Sequence, residues 1–294
     1  MSQPTRSETF EVEEKRIPYR WRRWAKQVVF AVLLMLSTGV LLFPMFWMFS
    51  TALRKEGELF TRGVQLLPET WSLENYTTLF TLTDFTAYYV NSVLVAIGVV
   101  GLTTLLSTLG GYGLARVDIP YKSVLARGVL IGYMFPAIML GIPMYIIWRQ
   151  IGLLNSYAGL ILAETALSLP FSLWLMWKFF QTIPTSLEES AQMMGATRFG
   201  AFFDIALPMS KPGVIAVAIF SYAVSWNAYT IPKIILTDSS RWVLTIGIQS
   251  FTESEQIFWG QIMAASSLVI IPAFVFVYFL QKYMLRGFRA GNVG

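Results

Sequence analysis

The 294-residue sequence contains no cysteine and no histidine, and only 13% of its residues are charged. The absence of cysteine excludes disulfides and thiolate nucleophiles, and the absence of both excludes the usual zinc and haem ligand sets. An enzyme built on this chain would depend on Lys, Ser, Tyr, Asp or Glu. Apolar surface is abundant instead, since 55% of the residues are hydrophobic and 15% are aromatic. This composition indicates that most of the chain lies in lipid.

Six apolar stretches are each long enough to cross the hydrocarbon core, which takes about 20 helical residues. The sequence therefore predicts an all-α membrane protein with six transmembrane helices near residues 27–51, 87–112, 124–147, 156–179, 213–234 and 259–282. The first stretch is too long for a signal peptide and is expected to be a retained anchor. The predicted domains are a poorly ordered N-terminal segment (1–26), a membrane domain (27–284) and a C-terminal tail (285–294).

Basic residues are distributed unequally between the predicted loops. With the N-terminus in the cytoplasm, sixteen of the 22 Lys and Arg residues lie inside and six lie outside. Because cytoplasmic loops carry the excess of basic residues, both termini are predicted to be cytoplasmic. The net charge of +5 is thus explained by orientation. No RNA- or DNA-binding motif accompanies it, so nucleic acid is not an expected partner.

The predicted cytoplasmic loop over residues 184–212 has the pattern of two short helices. Ser186 and Glu189 have the spacing of a capping box, which predicts a helix start at Ser186. Gly195 stands where a helix commonly ends in a left-handed residue. Thr197 can cap a second helix, and Pro208 is expected to stop it. The sequence therefore predicts two amphipathic helices joined at a glycine elbow.

Phe199, Phe202, Phe203 and Ala206 follow the i, i+3, i+4 and i+7 spacing of one helix face. On residue types alone, such a stripe can simply lie on the membrane interface, with Glu189 as a capping residue and Gly195 as a turn. A longer pattern in the same loop is more specific than this stripe. Six fixed positions over twenty residues form E-x-A-x3-G-x9-I-x-L-P, at Glu189, Ala191, Gly195, Ile205, Leu207 and Pro208.

This pattern resembles the EAA motif of ABC-importer permeases, in which a coupling helix docks on the nucleotide-binding subunit. Ser190 and Met194 depart from the usual alanine and aspartate, and Met194 removes a charge at the elbow. Other stretches resemble the maltose-type, carbohydrate-uptake branch: "NSVLVA" (91–96), "GGYGLARVDIPYKS" (110–123), "LPFSLWLMWKFF" (169–180) and "WNAYTIPKIILTD" (226–238). The similarity extends from about residue 25 to the end of the chain.

The resemblance implies a type I ABC-importer permease fold in the cytoplasmic (inner) membrane of a bacterium. It implies a heterodimer with a second permease, two copies of an ABC ATPase subunit and an extracytoplasmic substrate-binding protein. ATP and Mg are expected on the ATPase subunits, because this chain has no G-x-x-x-x-G-K-[ST] loop. The residues it assigns to ATPase coupling are Glu189, Ser190, Ala191, Met194, Gly195, Ala196, Phe199, Ile205, Leu207 and Pro208.

Candidates for the substrate pathway come from residue types inside the spans. Glu164 is the only acid well inside a predicted span, where it either serves the translocation cavity or a gate, or forms a structural pair with a hydroxyl or backbone group. Polar and aromatic groups in the fifth span could contact a sugar, although the same residue types also join helices or form interfacial belts. These candidates are Ser221, Tyr222, Trp226 and Asn227.

Other functions remain open on the sequence alone. A membrane enzyme would need a convergent catalytic set, yet all four aspartates fall in predicted loops. A secondary carrier would work without ATP, which the coupling-loop pattern argues against. Within ABC importers, a polyamine or another polar solute is the alternative to a saccharide.

Overall fold

The structure, a computed structural model, describes residues 19–60, 65–253 and 257–290. Within these ranges the regular structure is helical throughout, without a strand. The α-helices are α1 (Tyr19–Ala52), α2 (Glu74–Leu82), α3 (Phe85–Arg116), α4 (Lys122–Gly132), α5 (Ala137–Gln150), α6 (Tyr157–Gln181), α7 (Thr185–Met193), α8 (Arg198–Ala201), α9 (Leu207–Met209), α10 (Lys211–Trp226), α11 (Thr230–Ile235), α12 (Leu244–Glu253) and α13 (Trp259–Ala290). A π-helical turn (Phe202–Ala206) separates α8 from α9, and two 3-10 turns occupy Glu56–Phe60 and Ser239–Arg241.

The long apolar helices confirm the all-α membrane fold. Four helical segments have the length and composition to cross a bilayer: Arg23–Ala52, Phe85–Arg116, Tyr157–Gln181 and Trp259–Phe276. Two further helix pairs pass the same test together but are sharply bent, α4 with α5 by 92° and Arg198–Met209 with α10 by 71°. The described part of the chain thus holds four candidate spans, or up to six if each bent pair is one span.

Several helix boundaries differ from the predicted ones. Helix α1 begins at Tyr19, so the end of the predicted N-terminal segment is helical, and α13 continues to Ala290 through most of the predicted tail. Residues 1–18 and 291–294 of those two segments lie outside the described residues. The fifth predicted span ends early, because α10 stops at Trp226 and α11 follows only at Thr230.

The third predicted span is broken before Pro136. This residue is the N-cap of α5 and has ψ 133°, and α4 ends at Gly132. Proline disfavours helical geometry in the residue before it and donates no backbone hydrogen bond, so the chain turns here. Prolines at 143, 170 and 272, by contrast, lie inside uninterrupted helices.

The chain divides into two units, residues 1–47 and residues 48–294. The described part of the first unit is the N-terminal stretch of α1. The second unit is built around α3 and α6, which pack closely along their length, with α10 against both and α13 against α10. The loop segment before α3 is tied down by Asn75, which donates to the carbonyls of Ala52 (3.0 Å) and Arg54 (2.6 Å). These two bonds fasten α2 to the residues at and just after the end of α1.

Candidate functional site

The first helix of the 184–212 loop begins one residue earlier than predicted. Helix α7 starts at Thr185 with Pro184 as its N-cap, and no side chain caps it. Ser186 lies inside the helix, where its carbonyl accepts the Ser190 hydroxyl at 2.7 Å. The capping box of Ser186 and Glu189 is therefore wrong. Pro184 (φ −59°) already provides the backbone geometry that leads into the first turn.

The glycine elbow is as predicted. Gly195 has φ +97°, in the left-handed region. Its N–H donates to Gln192 at 3.0 Å, and the N–H of Ala196 donates to Ala191 at 3.0 Å. These two bonds form a Schellman motif, which satisfies carbonyls at the helix end. A Cβ at Gly195 would meet no atom within 4 Å, so the backbone conformation alone requires glycine here.

The second helix starts as predicted but does not stop at Pro208. The Thr197 hydroxyl caps α8 by accepting the N–H of Gly200 at 3.1 Å. The helix then passes through the π-turn and α9 to Met209, and the 71° bend follows at Ser210. Pro208 lacks the N–H for a regular helical bond, and the wider turn just before it shifts the hydrogen-bond ladder by one residue.

The predicted phenylalanine stripe divides between two environments. Phe202 and Ala206 are buried, whereas Phe199 is 76% and Phe203 56% exposed. These two i, i+4 pairs therefore lie on different faces of the helix, and the single stripe was wrong.

The remaining predicted coupling residues are spread along both helices of the loop. Exposed positions are Glu189, Ser190, Met194, Gly195 and Pro208, and half-buried ones are Ala191, Ala196, Ile205 and Leu207. Three large apolar side chains, Met193 (90% exposed), Met194 (83%) and Phe199 (76%), form what we call the elbow patch. Large apolar side chains left in the open on a loop indicate an interaction surface.

The sequence missed the charged residue that the loop buries. Glu188, not Glu189, is the buried acid, and it pairs with Arg116 at the end of α3. The Tyr112 hydroxyl donates to the same carboxylate at 2.8 Å. Tyr112 and Arg116 are four residues apart and so share a helix face. The spacing of Tyr112 and Arg116 was the signal available in the sequence. No local pattern could identify Glu188, 72 residues after Arg116, as their partner.

Glu164 of α6 is also buried, with 2% exposure, where α6 contacts α10. The Ser225 hydroxyl donates to its Oε2 at 2.5 Å. This hydroxyl is a partner of the kind that the structural interpretation of Glu164 requires. The contact joins two of the central helices, so a change at Glu164 acts on their packing as well as on any pathway.

The four other pathway candidates do not converge on one polar site. Ser221 is buried and donates to Val217 of its own helix at 2.9 Å, while Asn227 is exposed and donates to Ala223 at 2.8 Å. The Tyr222 ring stacks on Trp226, with centroids 5.4 Å apart. Both aromatic rings line a cavity of about 530 Å³ whose other walls are apolar, including Ile97, Val100, Pro272, Val275 and Phe276. That cavity is suited to apolar groups rather than to a sugar.

On the transport function that the resemblance implies, we expect Glu164→Gln to preserve assembly and change the transport rate by a few-fold, because the amide still offers Ser225 an acceptor. Glu164→Leu removes the acceptor and leaves a buried hydroxyl unpaired, which costs about 1–3 kcal/mol. It should reduce transport further. Uptake per unit of membrane-inserted protein measures both, and Ser225→Ala combined with Glu164→Leu should partly recover the loss. Wild-type uptake by both Glu164 variants would show that the carboxylate has no role.

Comparison with known proteins identifies the family. Residues 107–290 match the family described as "Binding-protein-dependent transport system inner membrane component". The chain belongs to this family. The permease is 32% identical over 262 residues to the diacetylchitobiose uptake system permease protein NgcG of Streptomyces coelicolor, covering 88% of this chain and 86% of the relative. It is 31% identical to the trehalose transport system permease protein SugB of Mycobacterium tuberculosis, covering 90% and 96%.

A solved structure has the same fold as the permease. This is the crystal structure of a bacterial ABC transporter involved in the import of the acidic polysaccharide alginate, with a TM-score of 0.76 at 22% identity. The match covers 88% of the permease and 96% of that chain. The predicted resemblance to ABC-importer permeases is thus confirmed. As a member of this family, the permease is a transport component and not an enzyme.

Proposed function

We propose that this permease passes a saccharide, delivered by a binding protein, across the cytoplasmic membrane in an ATP-driven importer. The observation that carries the proposal is its similarity, over most of its length, to permeases for diacetylchitobiose and trehalose. The alginate transporter adds the same fold in an importer of a longer saccharide. Relatives of such different cargo size support the saccharide class and leave the chain length of the sugar open.

The proposed complex contains a second permease of the maltose type, two copies of an ABC ATPase and an extracytoplasmic binding protein. ATP and Mg are held by the ATPase subunits, since this sequence carries no phosphate-binding loop of its own. The ATPase docks on the elbow patch and on the exposed motif residues Glu189 and Ser190. Apolar side chains at the centre of a patch with a polar surround are typical of such interfaces.

Introducing a charge into the elbow patch tests the docking surface. Met193→Asp and Phe199→Asp each place a carboxylate where an interface would have to desolvate it, so ATPase retention during purification should fall by about tenfold or more. Tyr121→Asp is the matched control, because Tyr121 is 83% exposed and lies at the N-cap of α4, outside the predicted span and outside the 184–212 loop. Equal retention in all three variants would contradict docking at the elbow.

The cargo is tested by uptake into vesicles that contain the complete transporter and its binding protein. We expect ATP-dependent accumulation of a labelled saccharide such as trehalose or diacetylchitobiose, competed by other saccharides and not by spermidine. Uptake driven by an ion gradient without ATP would identify a secondary carrier. Uptake of spermidine that saccharides do not compete would instead identify a polyamine permease.

Both termini are proposed to be cytoplasmic, on the strength of the basic-residue distribution. The chain has no cysteine, so single cysteines can be introduced without background. Asp118 and Ser239 are exposed and lie in loops assigned to opposite sides of the membrane. An impermeant thiol reagent added to intact cells should label Ser239→Cys and leave Asp118→Cys unlabelled until the cells are opened. The reverse result would invert the topology.

A further inference from the structure

A single guanidinium joins the end of α3 to the 184–212 loop. Arg116 Nε donates to Glu188 Oε1 at 2.8 Å, and its Nη2 lies 2.7 Å from the same oxygen. Arg116 also donates to two carbonyls at the end of α6 and just beyond it, to Phe180 at 3.1 Å and to Ile183 at 2.9 Å. Arg116 therefore holds the end of α3, the end of α6 and the first turn of α7 in one arrangement.

Tyr112, one turn earlier on α3, extends this contact to the second half of the loop. Its hydroxyl donates to Glu188 Oε2 at 2.8 Å, so both carboxylate oxygens are engaged. Its ring lies 4.6 Å from the ring of Phe202 and 5.4 Å from that of Phe180, measured between centroids. Tyr112 thus contacts the first helix of the loop through its hydroxyl and the second through its ring.

The Arg116–Glu188 pair is well shielded from water. The two side chains are 13% and 5% exposed, so the pair is not one of the surface ion pairs that contribute little. A shielded pair is costly to leave with one partner missing. The planar guanidinium fixes the direction of its hydrogen bonds as well as their length, because its N–H groups point in set directions. Apolar contacts such as Phe202 on Phe180 are non-directional and permit sliding.

We propose that Glu188 and Arg116 are positioning residues that transmit movement of the 184–212 loop to helices α3 and α6. The inference rests on the proposed function, in which an ATPase displaces the loop at the elbow. Glu189, the motif acid, is exposed and available to the ATPase, whereas Glu188 is buried and anchors the loop to the spans. The two adjacent acids thus have different roles: Glu189 faces the ATPase, and Glu188 fixes the loop to the spans.

The test compares transport with ATP hydrolysis in vesicles that contain the complete complex. Glu188→Gln and Arg116→Gln should each lower uptake by about tenfold, because an unpaired buried charge no longer holds the loop in place. ATP hydrolysis stimulated by the binding protein should stay within about twofold of wild type, since the docking surface is unchanged. The double variant should transport no worse than either single one, because both substitutions remove the same contact.

Asp118→Asn is the matched control for loss of a carboxylate, because Asp118 is exposed and only two residues from Arg116. It should transport normally. Tyr112→Phe keeps both ring contacts and removes only the hydroxyl, so it should accumulate even if the charge variants do not. We expect it to raise the ATP hydrolysed per sugar imported by about threefold, because the variant loses one hydrogen bond of modest net strength.

Three outcomes would overturn the inference: multiplied losses in the double variant, an unchanged ATP-to-sugar ratio in Tyr112→Phe, or uptake and hydrolysis falling together in all variants. The last would show that the residues merely hold the fold. Failure of the proposed function is distinguishable from these, because the wild-type complex would then fail to retain an ATPase or to import with ATP.

Discussion

Gly111→Ala is expected to lower the stability and membrane abundance of the permease strongly, although it adds a single methyl group. A Cβ at this position would lie 2.7 Å from Met176 Cβ, 2.8 Å from the backbone nitrogen of Trp177 and 2.9 Å from the carbonyl carbon of Met176. Two of these atoms belong to the backbone of α6 and cannot rotate away. The helices would have to separate.

The cost follows from how α3 and α6 pack. Without a hydrophobic driving force in lipid, spans associate through close packing and hydrogen bonds, for which small residues are needed. Between these helices the Thr103 and Ser168 hydroxyls bond at 2.9 Å. At Gly98 and Gly110 a methyl would meet only the side chains of Ile161 and Leu173, which can move. At Gly111 the methyl would meet backbone, which cannot.

Gly113→Ala is the matched control. It lies in the same helix two residues on, and a Cβ there would meet no atom within 4 Å. Alanine favours a helix over glycine by about 1 kcal/mol, so this variant should be neutral or stabilised. Gly111→Ala should instead lose about 1–3 kcal/mol, the usual cost of overpacking. Thermal unfolding of the detergent-purified complex compares the two, and equal melting temperatures would refute the close contact.

Local features of the loop could be predicted because they depend on neighbours in sequence. Gly195 is left-handed and Thr197 is a cap as expected, since each is specified by a few adjacent residues. Burial could not be predicted in the same way. Whether Glu188 or Glu189 is buried depends on Arg116, and whether Phe202 or Phe203 is buried depends on Tyr112. Both partners lie on α3, far away in the sequence.

The spans show the same contrast between features set by local sequence and features set by distant contacts. Long apolar runs predicted the helical membrane fold, because length and composition alone determine what can cross a bilayer. The 92° bend between α4 and α5 could not be predicted, since hydropathy is insensitive to direction. The candidate pathway was the weakest part of the prediction. Ser221, Tyr222 and Asn227 share a short stretch, yet helical geometry directs them to different surroundings.

Gly195→Val is expected to abolish ATP-coupled transport while leaving the spans assembled. Valine must adopt φ near the +97° observed for Gly195, at a cost of about 1–3 kcal/mol. The chain can avoid that cost by breaking the Schellman bonds of Gly195 and Ala196, which would reorient the second helix and disperse the elbow patch. We therefore expect normal membrane levels, weakened ATPase retention and loss of ATP hydrolysis stimulated by the binding protein.

Gly152→Val is the matched control for this change. Gly152 is also exposed and left-handed, with φ +72°, and a Cβ there would meet no atom within 4 Å, but it lies in the turn between α5 and α6. The backbone strain is of the same kind, so both variants should lose similar stability. Only Gly195→Val should release the ATPase, and Gly195→Asn should recover part of the coupling because asparagine tolerates left-handed geometry. Full ATPase retention with wild-type uptake in Gly195→Val would leave the loop as an amphipathic hairpin at the membrane surface.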